Sequence, residues 1–281
     1  EPPPVAEPMN PGTVSHSERL ATLLRDALRP PPGDARIALA LLYGGVCHLA
    51  FAAGGAAMVV AMFFGMSESL GRVAHPWQIV ANALLLVQFP LAHSFLLTTR
   101  GSRWLARLAP SPHGATLVTT TYASIAAVQL LALFTLWTPS GIVWWRAEGW
   151  ALVAVTCASA SAWLLLAKAS FDAGAEVQSG ALGWLSLLQA RRPVFPDLPT
   201  EGLFRYIRHP IYVAFALTTW TVAVWTPDQL LLATTLTAYC LLAPIRKERR
   251  LRARHGERFE AYRARVPYAL PVLPGRRRPG S

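Results

Sequence analysis

Glu201-Gly-Leu-Phe-Arg-Tyr-Ile-Arg-His-Pro-Ile-Tyr212 sets Arg205, Tyr206, Arg208 and His209 directly before an apolar run. Pro210 suits a first helical turn, where the amide it lacks would have no partner. A helix start presents unpaired N–H groups and a partial positive charge. Two arginines and a histidine beside it make a site for a carboxylate or phosphate. The competing reading is interfacial anchoring by Arg and Tyr. Further along, Glu248 is the only acidic residue between Asp228 and Arg254, within Arg-Lys-Glu-Arg-Arg-Leu. It is either salt-bridged on a helical extension or an acceptor for the hydroxyls or ammonium group of a bound cofactor. His93 is the candidate base or orienter on the acceptor side, since an ionisable residue at membrane depth is a functional candidate by default. A packed histidine bonded to a backbone carbonyl is the alternative. His48 is a lesser candidate.

These residues need elements to position them, and composition says which kind. The chain has 281 residues, 53% hydrophobic and 15% charged, with mean hydropathy +0.34. Soluble domains carry about 25% charge, so a water-soluble enzyme is excluded, as is disorder over most of the chain. Apolar runs at Ile37–Phe64, Ile79–Leu97, Thr116–Trp137 and Trp150–Ala169 are long enough to span a bilayer, which takes about 17 to 25 residues. Ile211–Trp225 and Gln229–Ile245, joined by Thr226-Pro227-Asp228, are shorter and read as a helical hairpin packed among the other four. The expected fold is therefore all-α and integral to the membrane, with six transmembrane helices. At about 1.5 Å per residue, the hairpin's similar arms return Arg246, Lys247 and Glu248 to the level of Arg208 and His209.

With both termini inside, cytoplasmic segments hold 24 Lys and Arg and the outer loops hold only Arg72 and Arg146. That is the positive-inside bias. Basic residues spread over every inner segment argue against nucleic acid and for anionic lipid headgroups as the partner of the tail. Trp137, Trp144, Trp145 and Trp150 are expected in an outer aromatic belt. Three sections follow: a Pro-rich leader over 1–35, a four-span bundle over 36–169, and a connector, hairpin and C-terminal segment over 170–281. In the leader, Ser17 to Leu28 suits a short amphipathic helix, Met9 is a possible start, and no signal peptide is expected. The connector from Phe171 to Thr200 reads as interfacial, either a lid or a passive linker. Gly44, Gly45, Gly54 and Gly55 are expected to permit close helix packing. Cys47, Cys157 and Cys240 read as small buried apolar residues. Without CxxC, HxxxH or HExxH spacing, no metal site is expected.

Gly202, Arg208-His209-Pro210-x-Tyr212, the hairpin, Glu248 with Leu251, Gly256-x-x-Phe259-x-x-Tyr262-x-x-x-Val266-Pro267 and Pro271 come in that order. Together they resemble the C-terminal signature of isoprenylcysteine carboxyl methyltransferases and their bacterial relatives. Upstream, Ala92-His93-Ser94 and Trp137-Thr-Pro-x-Gly-Ile-Val-Trp144 are similar to the methanethiol S-methyltransferase and NnrU-like branch. The resemblance implies an integral membrane methyltransferase, in a bacterial inner membrane, using S-adenosylmethionine in a cytoplasm-facing pocket. By position, Tyr206, Arg208, His209, Pro210 and Tyr212 would line that pocket, with Glu248 beside it and His255 and Tyr262 as further candidates. Two departures from the family pattern are Lys247, where a second Glu is common, and Ala214, where Gly is common. The implied acceptor is a small thiol. An isoprenylated carboxylate, a phospholipid amine, a nicotinamide-dependent reductase and a non-catalytic accessory protein are the other readings.

Overall fold

The computed structural model describes residues 16–270. Helix α1 (His16–Ala27) precedes α2 (Asp34–Phe63), α3 (Trp77–Leu96), α4 (Thr99–Leu108), α5 (Gly114–Leu136) and α6 (Gly149–Asp172). Short helices α7 (Ala175–Gln178) and α8 (Ala181–Leu188) lead to α9 (Pro210–Trp220), α10 (Pro227–His255) and α11 (Glu257–Arg265). The protein is an all-α membrane protein. Among the described residues five helices, α2, α3, α5, α6 and α10, are long and apolar enough to cross a bilayer. The sixth expected span is shorter than its apolar run, because α9 has 11 residues and reaches only about 16 Å.

The reason lies just after Trp220. Val224–Trp225 (β2) leaves the helix and pairs antiparallel with Trp145–Arg146 (β1), while Ala223 N–H donates to Phe63 O at 2.9 Å. Backbone groups freed by the early helix end are thereby satisfied. Thr226 then caps α10 by accepting from Gln229 N–H at 2.9 Å, with Pro227 and Asp228 in the first turn as helix starts favour. The Asp228 carboxylate accepts from Trp137 Nε1 at 3.1 Å and Ser140 N at 2.8 Å. Trp137 is therefore wholly buried and not part of the aromatic belt, whereas Trp144, Trp145 and Trp150 are exposed.

Small residues set the α2–α5 crossing. A Cβ on Gly54 would lie 2.7 Å from Ala127 O, and one on Gly44 would lie 2.7 Å from the Trp184 ring. Gly45 and Gly55 have open space beside them, one residue further round the helix, so only half of the expected glycine contacts exist. Cys157 also departs from expectation: it is exposed, while Cys47 and Cys240 are buried.

The connector is neither lid nor passive linker. After α6 the chain pushes α8 between α2 and α5. Thr120 Oγ1 donates to Gly180 O at 2.7 Å and accepts from Trp184 N at 2.9 Å. Trp184 Nε1 donates to His48 Nε2 at 3.1 Å, which accounts for His48 structurally. Leu187 and Leu188 close against Ala40 and Leu117. Helix α1 clamps this insert from outside through Arg19–Glu176 at 3.0 Å and Gln189 Nε2 to Leu23 O at 2.7 Å.

Candidate active site

Three pieces of chain meet at the start of α9. The first is a 3₁₀ turn over Gly202–Arg205. Gly202 has φ +57°, and the Asp172 carboxylate occupies the place a Cβ would take. That carboxylate accepts from Leu203 N–H at 2.8 Å and pairs with Lys168, so glycine at 202 lets α6 anchor the turn. The second piece is the C-terminal end of α10, which stops at Gly256 with φ +51°. The third is the tail folded back by that glycine. Phe259 and Tyr262, three apart on α11 and so on one face, bury against Leu198 and Val266. Tyr262 Oη donates to Phe204 O at 2.7 Å.

Arg208 joins the pieces. Its Nε donates to Glu248 Oε1 at 2.8 Å, its Nη1 donates to Val266 O at 2.5 Å, and its backbone N–H donates to Pro267 O at 2.9 Å. His209 Nε2 lies 2.8 Å from the same Oε1 of Glu248. Tyr268 stacks over both, 5.5 Å from the Arg208 guanidinium and 4.7 Å from the His209 ring. A cavity of about 290 Å³ opens here, lined by Arg208, Glu248, Arg249, Arg252, Arg263 and Tyr268 among others.

Burial pushes the His209 imidazole down to about 4, against the pull of Glu248 and with help from the cations Lys247 and Arg208. The ring is therefore neutral near pH 7, with its proton on Nε2 facing Glu248. That leaves the Nδ1 lone pair buried and without a partner. Because the folded value lies below the ordinary 6.5, the stability contributed by the neutral ring is complete above pH 6.5 and drains away as pH falls toward 4. Thermal unfolding in detergent is expected to show that slope, and His209→Asn to flatten it. An unchanged slope in the variant would assign acid sensitivity to other groups.

The residues singled out in the sequence distribute unequally. Arg208, His209, Pro210, Tyr212 and Glu248 gather around one junction, with Pro210 at the first turn of α9. Tyr212 stands 6.0 Å from His209 and 5.7 Å from Lys247 Nζ. Tyr206 is 60% exposed and is covered only by Arg205 at 5.9 Å, so it does not line the cavity. His255 faces Asp197 at 3.7 Å, and Tyr262 is a buried latch. His93 hydrogen-bonds not to a carbonyl but to the Tyr122 hydroxyl, 2.7 Å from Nδ1. Sequence reading missed Tyr268 and Arg263, although Tyr268 directly follows the Val266-Pro267 pair. It also missed Tyr122, for which no local signal exists.

A guanidinium–carboxylate–imidazole junction beside a tyrosine, at one end of a helical membrane bundle, borders a cavity whose charged lining suits a polar ligand. The comparisons agree with a methyltransferase of the kind its motifs resemble. The chain is 29% identical over 207 residues to a methanethiol S-methyltransferase of Pseudomonas deceptionensis, covering 73% of this chain and 77% of the relative. It is 26% identical over 240 residues to the methanethiol S-methyltransferase of Crocosphaera subtropica, covering 83% and 92%. A Mycobacterium tuberculosis protein of the same name is 28% identical over 196 residues, covering 69% and 78%. No family model matches the chain, and no solved structure does.

The donor set suits S-adenosylmethionine. Its carboxylate calls for a guanidinium, and Arg249 on the cavity wall forms no ion pair among the described residues, whereas Arg252 is paired with Glu260. Its ammonium and hydroxyl groups call for acceptors, and the Glu248 carboxylate on the same wall is one.

Proposed function

We propose that the protein transfers a methyl group from S-adenosylmethionine to a small thiol, in a bacterial inner membrane, with the donor site facing the cytoplasm. The observation that carries this reading is Glu248 Oε1 held at 2.8 Å by both Arg208 and His209 on the rim of a cavity. The names of the relatives support the reaction class, and the crowding of Lys and Arg at the α10 end supports the orientation.

S-adenosylmethionine supplies an already electrophilic sulfonium methyl. What the chain must add is alignment and dryness, which together provide most of the acceleration for such a step. Arg208 and His209 fix the Glu248 carboxylate so that its free edge accepts the donor's ammonium or hydroxyls. Arg249 holds the donor's carboxylate. The Tyr268 ring covers the junction and excludes water from it. On the other side of Tyr212, the His93–Tyr122 pair orients the acceptor. Among acceptors, a thiol ionises far more readily than an alcohol, so a strong general base is unnecessary.

Purified protein incubated with methyl-labelled S-adenosylmethionine and a panel of thiols is expected to yield labelled methyl sulfides, read by headspace mass. Label appearing instead in a lipid amine or a prenylated carboxylate would replace the thiol reading. Competition by NADPH with no methyl transfer would replace the reaction class.

A further inference from the structure

A second cavity lies away from the donor site, where α1, the loop into α2 and the end of α8 meet. It encloses about 650 Å³, and Arg25, Asp26, Leu28, Arg29, Gln189 and Arg191 are among its walls. Its place in the fold is the edge of the first span. Helix α2 begins at Asp34, is long and apolar enough to cross a bilayer, and exposes Leu41 and Leu42 in its early turns. We propose that this cavity binds the phosphate of an anionic phospholipid, held by Arg25 and Arg29, with Gln189 Oε1 accepting from a headgroup hydroxyl. No residue of the donor site takes part, so the methyl-transfer reading is not a premise.

Gln189 is 7% exposed, and its Nε2 donates to Leu23 O at 2.7 Å. With the amide nitrogen committed to that carbonyl, the remaining amide atom is an acceptor, and it is buried without a partner. An acceptor left so is costly, and a ligand hydroxyl satisfies it. Ala190, left-handed at φ +53°, ends α8 and is followed by Arg191, whose Nη1 donates to Asp26 Oδ2 at 3.2 Å. Arg25 and Arg29 form neither an ion pair nor a side-chain hydrogen bond among the described residues. Three guanidiniums against one carboxylate leave two positive charges uncompensated. Arg36 braces the wall from behind, donating to Leu187 O at 2.7 Å and to Pro31 O.

The surroundings choose the occupant. A soluble anion needs only the guanidiniums, but Leu28 on the same wall is 82% exposed, and Leu24 one turn earlier is 53% exposed. Leucines standing open beside arginines are what an amphipathic helix presents to a lipid surface. Guanidinium and phosphate meet through paired, charge-assisted hydrogen bonds, and the acyl chains follow the leucines. Choline fits poorly, because it brings a cation to unpaired arginines and no donor to Gln189. A glycerol headgroup brings hydroxyls and no cation, which makes phosphatidylglycerol the matching chemistry.

The full chain, stripped of lipid in detergent, is titrated with dioleoylphosphatidylglycerol, and native mass spectrometry counts the lipids bound. One molecule should bind ahead of the rest. Replacing both Arg25→Gln and Arg29→Gln should weaken that first site by about 10- to 150-fold, for lost charge-assisted hydrogen bonds. These arginines hold no other side chain, so the unfolding midpoint should stay as in the wild type. Arg103→Gln with Arg107→Gln, on α4, controls for attraction to any basic surface and should leave the first site intact. Dioleoylphosphatidylmethanol, with the same charge and no hydroxyl, should bind about 2- to 10-fold more weakly. Wild-type affinity in the α1 double variant overturns the proposal. An equal loss in the α4 variant also overturns it, by reducing the effect to surface charge. Displacement of the lipid by inorganic phosphate at equal concentration overturns the lipid assignment in favour of a soluble anion. Equal affinity for the two anionic lipids overturns the role of Gln189.

Discussion

Glu248→Gln is expected to leave the protein folded and to weaken its hold on S-adenosylmethionine. The substitution keeps shape and removes one charge from a junction where Arg208 and Glu248 side chains are only 10% and 13% exposed. Surface pairs of this kind are worth little, but here the partners are largely shut off from water. Breaking such a pair from one side costs about 3–5 kcal/mol, because the remaining charge is left uncompensated. The glutamine would still accept one hydrogen bond, but its amide nitrogen would confront Arg208 or Arg263. Charged partners on three sides make the loss fall on the ligand's own ammonium contact as well. That cost falls on the junction itself, while donor affinity should drop by about 10- to 150-fold for the loss of one charge-assisted hydrogen bond of about 1.5–3 kcal/mol, measured by calorimetric titration in detergent. Arg208→Lys should fall between wild type and Glu248→Gln, since an ammonium keeps the charge but not the guanidinium's fork of donors. Tight binding retained in Glu248→Gln would remove this carboxylate from the site.

That junction was legible in the sequence to an unusual degree, because each part of it announces a backbone event. Pro210 and Thr226-Pro227-Asp228 mark helix starts and Gly256 marks a stop; the expected similar arms are not both helical, because α9 has 11 residues and α10 has 29, and the extended stretch through Val224–Trp225 makes up the difference that brings Arg208 level with Glu248. What stayed hidden has a common physical cause: it depends on which way a helix is rotated, or on which distant segment fills a gap. Gly45 and Gly55 look like Gly44 and Gly54 in sequence, yet point into open space. Lys247 stands out in the sequence as a departure from the family pattern, but its partner Tyr212 shows only once α10 turns it toward that ring. Trp137 carries an indole N–H that suits an interface equally well, and only Asp228, 91 positions later, pulls it inside. The α8 insert could not be foreseen because its partners, Thr120 and Gly44, sit on two other helices. Tyr206, expected beside Arg208, is 60% exposed and is not among the residues that line the cavity.

Phe259→Ala should disconnect the tail while the spanning bundle persists. Phe259 is 1% exposed and sits in a small cluster with Leu198, Tyr262 and Val266, with Leu251 packed against it. Truncating a buried phenylalanine costs about 3–5 kcal/mol, which a cluster of this size has little capacity to absorb. The tail brings Val266 O and Pro267 O to Arg208, as well as the Tyr268 ring, so its release dismantles the donor site without touching Glu248. Limited proteolysis should reveal new cleavage beyond Gly256, donor binding should vanish, and helical content should change little. Tyr262→Phe provides the graded comparison. It keeps the ring and forfeits one hydrogen bond to Phe204 O, at about 1–3 kcal/mol for a carbonyl left buried and unpaired. If Phe259→Ala binds the donor normally, the tail is only an appendage; if the bundle unfolds with it, tail and spans form one cooperative unit.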